Sequence, residues 1–108
     1  MDMIRRLFRH TVYIRVFADR IELRQVERGA NHVQPAVHSY SNKRLLIADY
    51  TVAEQLLREG MRALMAGRFN VVRPRVVIQP MAVLEQRLSK VEERMLRELA
   101  CMLHQYPG

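Results

Sequence analysis

The side chains able to do chemistry in this chain are four histidines, a single cysteine and a scatter of serines and acids. A zinc site needs His, Cys or acidic ligands at short, converging spacings. His32 and His38 share one segment, but His10 and His104 are remote from it. No Cys, Asp or Glu flanks any of the four at ligand spacing, so they read as surface or half-buried histidines. A nucleophilic serine wants a glycine-rich elbow and a positioned base, and Ser39 and Ser41 beside His38 have no such glycine. Asp19, Asp49, Glu54 and Glu85 show no pairing of the kind that general acid–base catalysis uses. Cys101 has no disulfide partner and falls among Leu99, Met102 and Leu103, where a small buried hydrophobe is the simpler reading than a reactive thiol. No catalytic, cofactor-binding or metal-binding residue is assigned, no cofactor is expected, and an enzyme is not expected.

The elements that would position any site follow from periodicity. At 108 residues the chain is one domain with enough length for a core, and 49% apolar content argues against wholesale disorder. No run approaches the roughly 20 apolar residues of a membrane span, and no signal peptide is visible, which makes the cytoplasm the expected location. Over residues 11–28, Val12, Ile14 and Val16 alternate with Tyr13, Arg15 and Phe17. Ile21 and Leu23 then alternate with Glu22 and Arg24 after a turn at Ala18-Asp19. That is period two, hence two strands. A weaker third strand spans residues 32–40, with Pro35 confining it to an edge or a strand end.

Residues 51–66 repeat at helical spacing, with Val52, Leu56, Met61, Leu64 and Met65 inward and Arg58, Glu59 and Arg62 outward. Asp49 and Thr51 both suit the N-cap, the latter through a Thr51-x-x-Glu54 capping box, and Gly67 suits the C-terminal left-handed position. Gly60 inside the helix implies close packing on the sheet. The run Val76–Ile78 does not alternate, as in a strand covered on both faces, and Pro80 ends it. A second capping box, Ser89-x-x-Glu92, precedes a stripe of Leu88, Val91, Met95, Leu99 and Leu103, with Glu92, Glu93, Arg94, Arg97 and Glu98 facing water. The expected fold is mixed α/β: β-β-β-α-β-α, a mixed sheet of order 3-2-1-4 and two main helices.

That order, together with local sequence, resembles the first half of domain I of MreB-type bacterial actins, within the actin/ribonuclease-H-like superfamily. LLIADYTVAEQLLREGMRAL, beginning at Leu45, resembles the segment that runs Gly-Val-Ile-Ala-Asp-Phe into a helix opening Val-x-Glu-x-x-Leu. RPRVVIQP resembles the next strand, and LSKVEERMLRELA the helix after it. The departures matter as much. Where that family carries an Asp-x-Gly-Thr turn on ATP phosphate and metal, this chain reads Ile14-Arg15-Val16-Phe17-Ala18. An arginine stands at the carboxylate position and a phenylalanine at the glycine. A cation there cannot hold Mg²⁺, and a ring keeps phosphate from the backbone. The insertion forming the second small subdomain and the whole second half of the family are also missing, so ATP binding is not carried over.

The resemblance implies a further parallel strand beside residues 75–79. Without it, Arg75, Val76, Val77, Ile78 and Gln79 form an open interaction edge, for a homodimer or for a cytoskeletal or cell-shape partner. Residues 1–10 are a basic amphipathic segment ahead of a single half-domain, residues 11–108. Ile4, Leu7 and Phe8 lie on one side of a helix and Arg5, Arg6 and Arg9 on the other, the pattern of a short contact with an anionic membrane. In MreB-type proteins the corresponding segment inserts into the inner leaflet, implying a peripheral position on the inner membrane; the alternative is an arm packed on the domain. The net charge of +7 also suits nucleic acid, as the second function class. On a strand face, aromatics interleave with arginine only at Tyr13, Arg15 and Phe17.

Overall fold

The structure, a computed structural model, describes residues 10–41, 45–66, 73–82 and 90–106. Strand β1 (Thr11–Val16) turns back through Ala18 and Asp19 into β2 (Arg20–Gln25), and a second turn leads to β3 (Ala30–Pro35). Helix α1 (Tyr50–Leu64) follows, then β4 (Arg75–Pro80) and helix α2 (Lys90–His104). The sheet has order β3-β2-β1-β4. β1 pairs antiparallel with β2 and parallel with β4, and β2 pairs antiparallel with β3. The mixed α/β class, element order and strand order expected from the sequence are those observed.

Alternation decides which face of the sheet is covered. Val12, Ile14 and Val16 of β1 and Ile21 and Leu23 of β2 are at most 2% exposed and lie under both helices with Leu57, Met61, Leu99 and Leu103. Gly60 of α1 sits against the sheet: a Cβ there would stand 2.9 Å from Leu23 Cδ1 and 3.2 Å from Ile21 Cδ1. Close packing through this glycine is thus as the sequence implied.

The other face carries no helix among the described residues. β4 therefore differs from expectation: Val76 and Ile78 are half-buried under α2, whereas Val77 is 44% exposed on the opposite side. A non-alternating apolar run looks doubly covered, but it also arises when one residue simply faces outward.

Helix ends and stripes were partly shifted. Asp49 is the N-cap of α1, its Oδ1 accepting from Val52 N–H at 3.1 Å. That bond is worth about 1 kcal/mol, and it leaves Thr51 inside the first turn rather than capping it. Gly67 and Ser89, the other two capping candidates, lie outside the described residues. In α2 the buried stripe is Glu92, Leu96, Leu99 and Leu103. Val91 is 56% exposed and Glu92 only 5%, the reverse of the expected pair. The third strand ends at Pro35 instead of running to residue 40, and Tyr40 turns into the core. Arg73 takes a positive φ of 50°, donates its N–H to Tyr106 O and leads into β4, whose start is tied to α2 by His104 Nδ1 against Pro74 O at 2.7 Å.

Candidate interaction edge and open sheet face

The β4 rim is set by the parity of its hydrogen bonds. Arg75 N–H donates to His10 O at one end of the ladder, and Met81 N–H donates to Val16 O at the other. In a parallel pair, alternate residues turn both N–H and C=O to the neighbour. With the register Val12↔Val76 and Ile14↔Ile78, the odd-numbered residues therefore face β1. Val76 and Ile78 turn their N–H and C=O groups outward, where they meet no partner among the described residues. Pro80, the next outward position, has no N–H. Beside this rim lies a groove of about 280 Å³ lined by Ile78, Pro80, Leu96 and Ala100, with Glu93 and Arg97 at its lip. Residues 75–79 thus form an edge strand, as expected. The membrane candidates Ile4, Arg5, Arg6, Leu7, Phe8 and Arg9 lie outside the described residues.

The open face is built from the other half of each strand. Across the sheet one row reads Asn31–Arg24–Tyr13–Val77, and the next Val33–Glu22–Arg15–Gln79. A shallow depression of about 370 Å³ spans Tyr13, Arg15, Glu22, Arg24, Asn31 and Val33. Glu22 holds two arginines, with Arg15 Nη2 at 2.8 Å and Arg20 Nε at 2.9 Å. The Arg20 guanidinium also lies 3.9 Å over the Phe17 ring and contacts Asp19. Arg15 is therefore held in an ion pair and Phe17 lies under a guanidinium.

Tyr13 donates its hydroxyl proton to Gln79 Oε1 on β4. Arg24 directly opposite, and Arg75 along β4, make no ion pair among the described residues. At the far end of the face Thr11 N–H donates to Glu27 Oε1 at 2.6 Å. Burial works against the charge on Glu27, but hydrogen bonds from Thr11 and from its own backbone, with His10 nearby, together outweigh it and hold the carboxyl below its usual range.

The remaining chemical candidates are dispersed. His10 Nδ1 contacts Gln25 Nε2 at 2.9 Å in the core, His32 Nε2 meets Gln34 Oε1 at 2.7 Å, and His38 is exposed. Among the described residues no three His, Cys, Asp or Glu side chains come together as a metal site. Asp49 is a helix cap and Glu54 pairs with Arg58 at 3.4 Å, while Glu85 lies outside the described residues. Arg94 pairs with Glu98 at 3.5 Å, whereas Glu93 and Arg97, also four residues apart, form no ion pair. Cys101 is exposed, against expectation. It sits two residues from Leu99, a 200° rotation on an ideal helix that carries it away from the core.

Two structurally committed residues escaped sequence reasoning. Glu92 Oε2 accepts from Leu46 N–H at 2.8 Å, locking α2 to the loop before α1. Tyr40 offers its hydroxyl proton to the carbonyls of Phe17 and Arg20, the latter at 2.8 Å, while its own carbonyl accepts from Ala48 and Asp49 N–H.

Comparison of the chain with protein families, with curated proteins and with solved structures returned no match. Among the described residues no helix is long and apolar enough to cross a membrane.

Proposed function

We propose that this chain is a non-catalytic interaction module that pairs with a second copy of itself through β4. The observation that carries this reading is the outward-facing rim of Val76 and Ile78, lying beside the Ile78–Pro80–Leu96–Ala100 groove. An antiparallel approach of two such rims about a two-fold axis sets Val77 against Val77. Val76 of each copy then exchanges N–H···O=C bonds with Ile78 of the other. The lip of the groove suits that symmetry, since a two-fold axis can set Glu93 of one copy against Arg97 of the other.

The wider assignment, a nucleotide-free relative of MreB-type actin acting in a cytoskeletal or cell-shape context, rests on the resemblance of residues 45–100. It is consistent with Arg15 and Phe17 filling the nucleotide turn. Attachment of the 1–9 segment to the inner membrane surface belongs to the same reading.

Sedimentation or light scattering at high micromolar concentration tests self-pairing. The expected result is a dimer that Val77→Lys converts to a folded monomer, because Val77 is exposed in the single chain while two lysines would oppose each other across the axis. A wild-type chain that stays monomeric overturns it.

A further inference from the structure

The open face of the sheet combines features that the edge does not use. Tyr13, Arg15 and Phe17 fall on one side of a single line of chain, with Tyr13 and Phe17 about 13 Å apart, and the sheet sets Arg24 and Arg20 of β2 beside them. Arg15 and Arg20 are committed to Glu22. Arg24 lies in the Tyr13 row and Arg75 in the next row along β4, and neither carries an ion pair among the described residues. Val33 and Val77 add exposed apolar surface, at 53% and 44% exposure.

The face is a poor seat for a second copy of itself. Face-to-face packing would set Arg24 and Arg75 against their own copies, with no unpaired acid between them among the described residues. An acidic ligand is what this charge pattern complements. The fixed aromatic ring narrows the class further, because nucleobases stack on aromatic faces and guanidinium planes while their phosphates meet arginines.

We propose that this face binds single-stranded nucleic acid, with a base stacked on Tyr13 and neighbouring phosphates held by Arg24 and Arg75. Arg24 stands directly across the strand pair from Tyr13, and Arg75 lies two residues before Val77, the Tyr13 partner on β4. One base and the phosphates flanking it thus fit within three adjacent strands. The flat aromatic surface gives no base-edge code, so binding is expected to be tolerant of sequence. This inference does not depend on β4 pairing, because the face and the rim use different atoms of the strands.

Fluorescence anisotropy of the full chain with a labelled oligothymidylate of about twenty nucleotides tests it, using oligouridylate and a polyglutamate peptide as parallel probes. At low salt the expected dissociation constant is micromolar or tighter. Arg24→Ala and Tyr13→Ala should each weaken binding at least fivefold, and Arg24→Ala should reduce the log–log salt slope by about 0.7, one single-strand phosphate contact. Arg62→Ala removes an exposed cation from α1 and should change affinity by less than twofold. Far-UV circular dichroism shows whether the Tyr13 variant keeps its fold; Tyr13→Phe, which retains the ring, should restore binding. Absence of binding overturns the proposal. So does equal loss in Arg62→Ala, which means diffuse charge attraction, or polyglutamate binding that needs Arg24 but not Tyr13, which means an acidic protein ligand.

Discussion

Tyr40 is gripped from both ends, by the β1–β2 turn at its hydroxyl and by the start of α1 at its carbonyl. Burial, helped by the charge of Asp19, pushes its hydroxyl pKa up to about 12 from the ordinary 10. Below pH 10 both folded and unfolded chains keep that proton. Between pH 10 and 12 the unfolded chain releases it while the folded chain retains it, so stability falls as pH rises through this window. An ultraviolet titration is expected to show tyrosine ionisation continuing to about pH 12, and Tyr40→Phe to abolish that last step at a cost of about 1 kcal/mol in denaturant melts. If no ionisation is seen that late in the wild type, Tyr40 is not held as described. Neither Tyr40 nor Glu92 was legible in the sequence. Tyr40 follows a weak strand pattern that only tertiary packing cuts short at Pro35. Glu92 looks like a solvated helix acid until Leu46 N–H, distant in sequence, is brought to it.

Elements were far more legible than their faces. Period-two alternation over residues 11–25 and helical spacing over residues 51–65 each found the right structure, because in both the apolar set is wide and unbroken. For α2 the choice between neighbouring stripes turned on Val91 and Met95 against Glu92 and Leu96, a shift of one position that composition does not settle; the helix rolled so that Glu92 could reach the loop. Gly60 is where element packing is tightest. Alanine there gains about 1 kcal/mol of helix propensity but forces a methyl into Leu23 Cδ1 and Ile21 Cδ1, and overpacking of this sort costs about 1–3 kcal/mol. Gly60→Ala is therefore expected to lower unfolding free energy by about 1 kcal/mol. A rise in melting temperature would mean that α1 stands further from the sheet.

Among the described residues β1 and β2 are the interior strands, each flanked on both sides, while β3 and β4 form the rims. Hydrogen exchange should follow that arrangement. The amides of β1 and β2 are expected to exchange slowest, through global opening, and those of Val76, Ile78, Asn31 and Val33 within about tenfold of an unstructured peptide in dilute protein. On concentration, Val76 and Ile78 should slow while Asn31 and Val33 do not. Protection of all four at every dilution would mean that both rims are already covered. The β3 rim was readable from Pro35, whereas the β4 rim followed only from the resemblance, whose next parallel strand this sequence lacks. The open face was not readable, because a row such as Arg24–Tyr13–Val77 exists only once register joins three strands.

Both rims share one detail. Ala36 N–H donates to Asp19 O, which by antiparallel parity turns Asn31, Val33 and Pro35 of β3 outward, just as Val76, Ile78 and Pro80 of β4 are turned. Each rim thus offers two amides and then a residue with nothing to donate. A short strand can dock on such a rim, but a long one runs out of donors after two positions. Strand-upon-strand growth would stall at this point, so the sheet tolerates one added neighbour while resisting the open-ended stacking that produces fibrils.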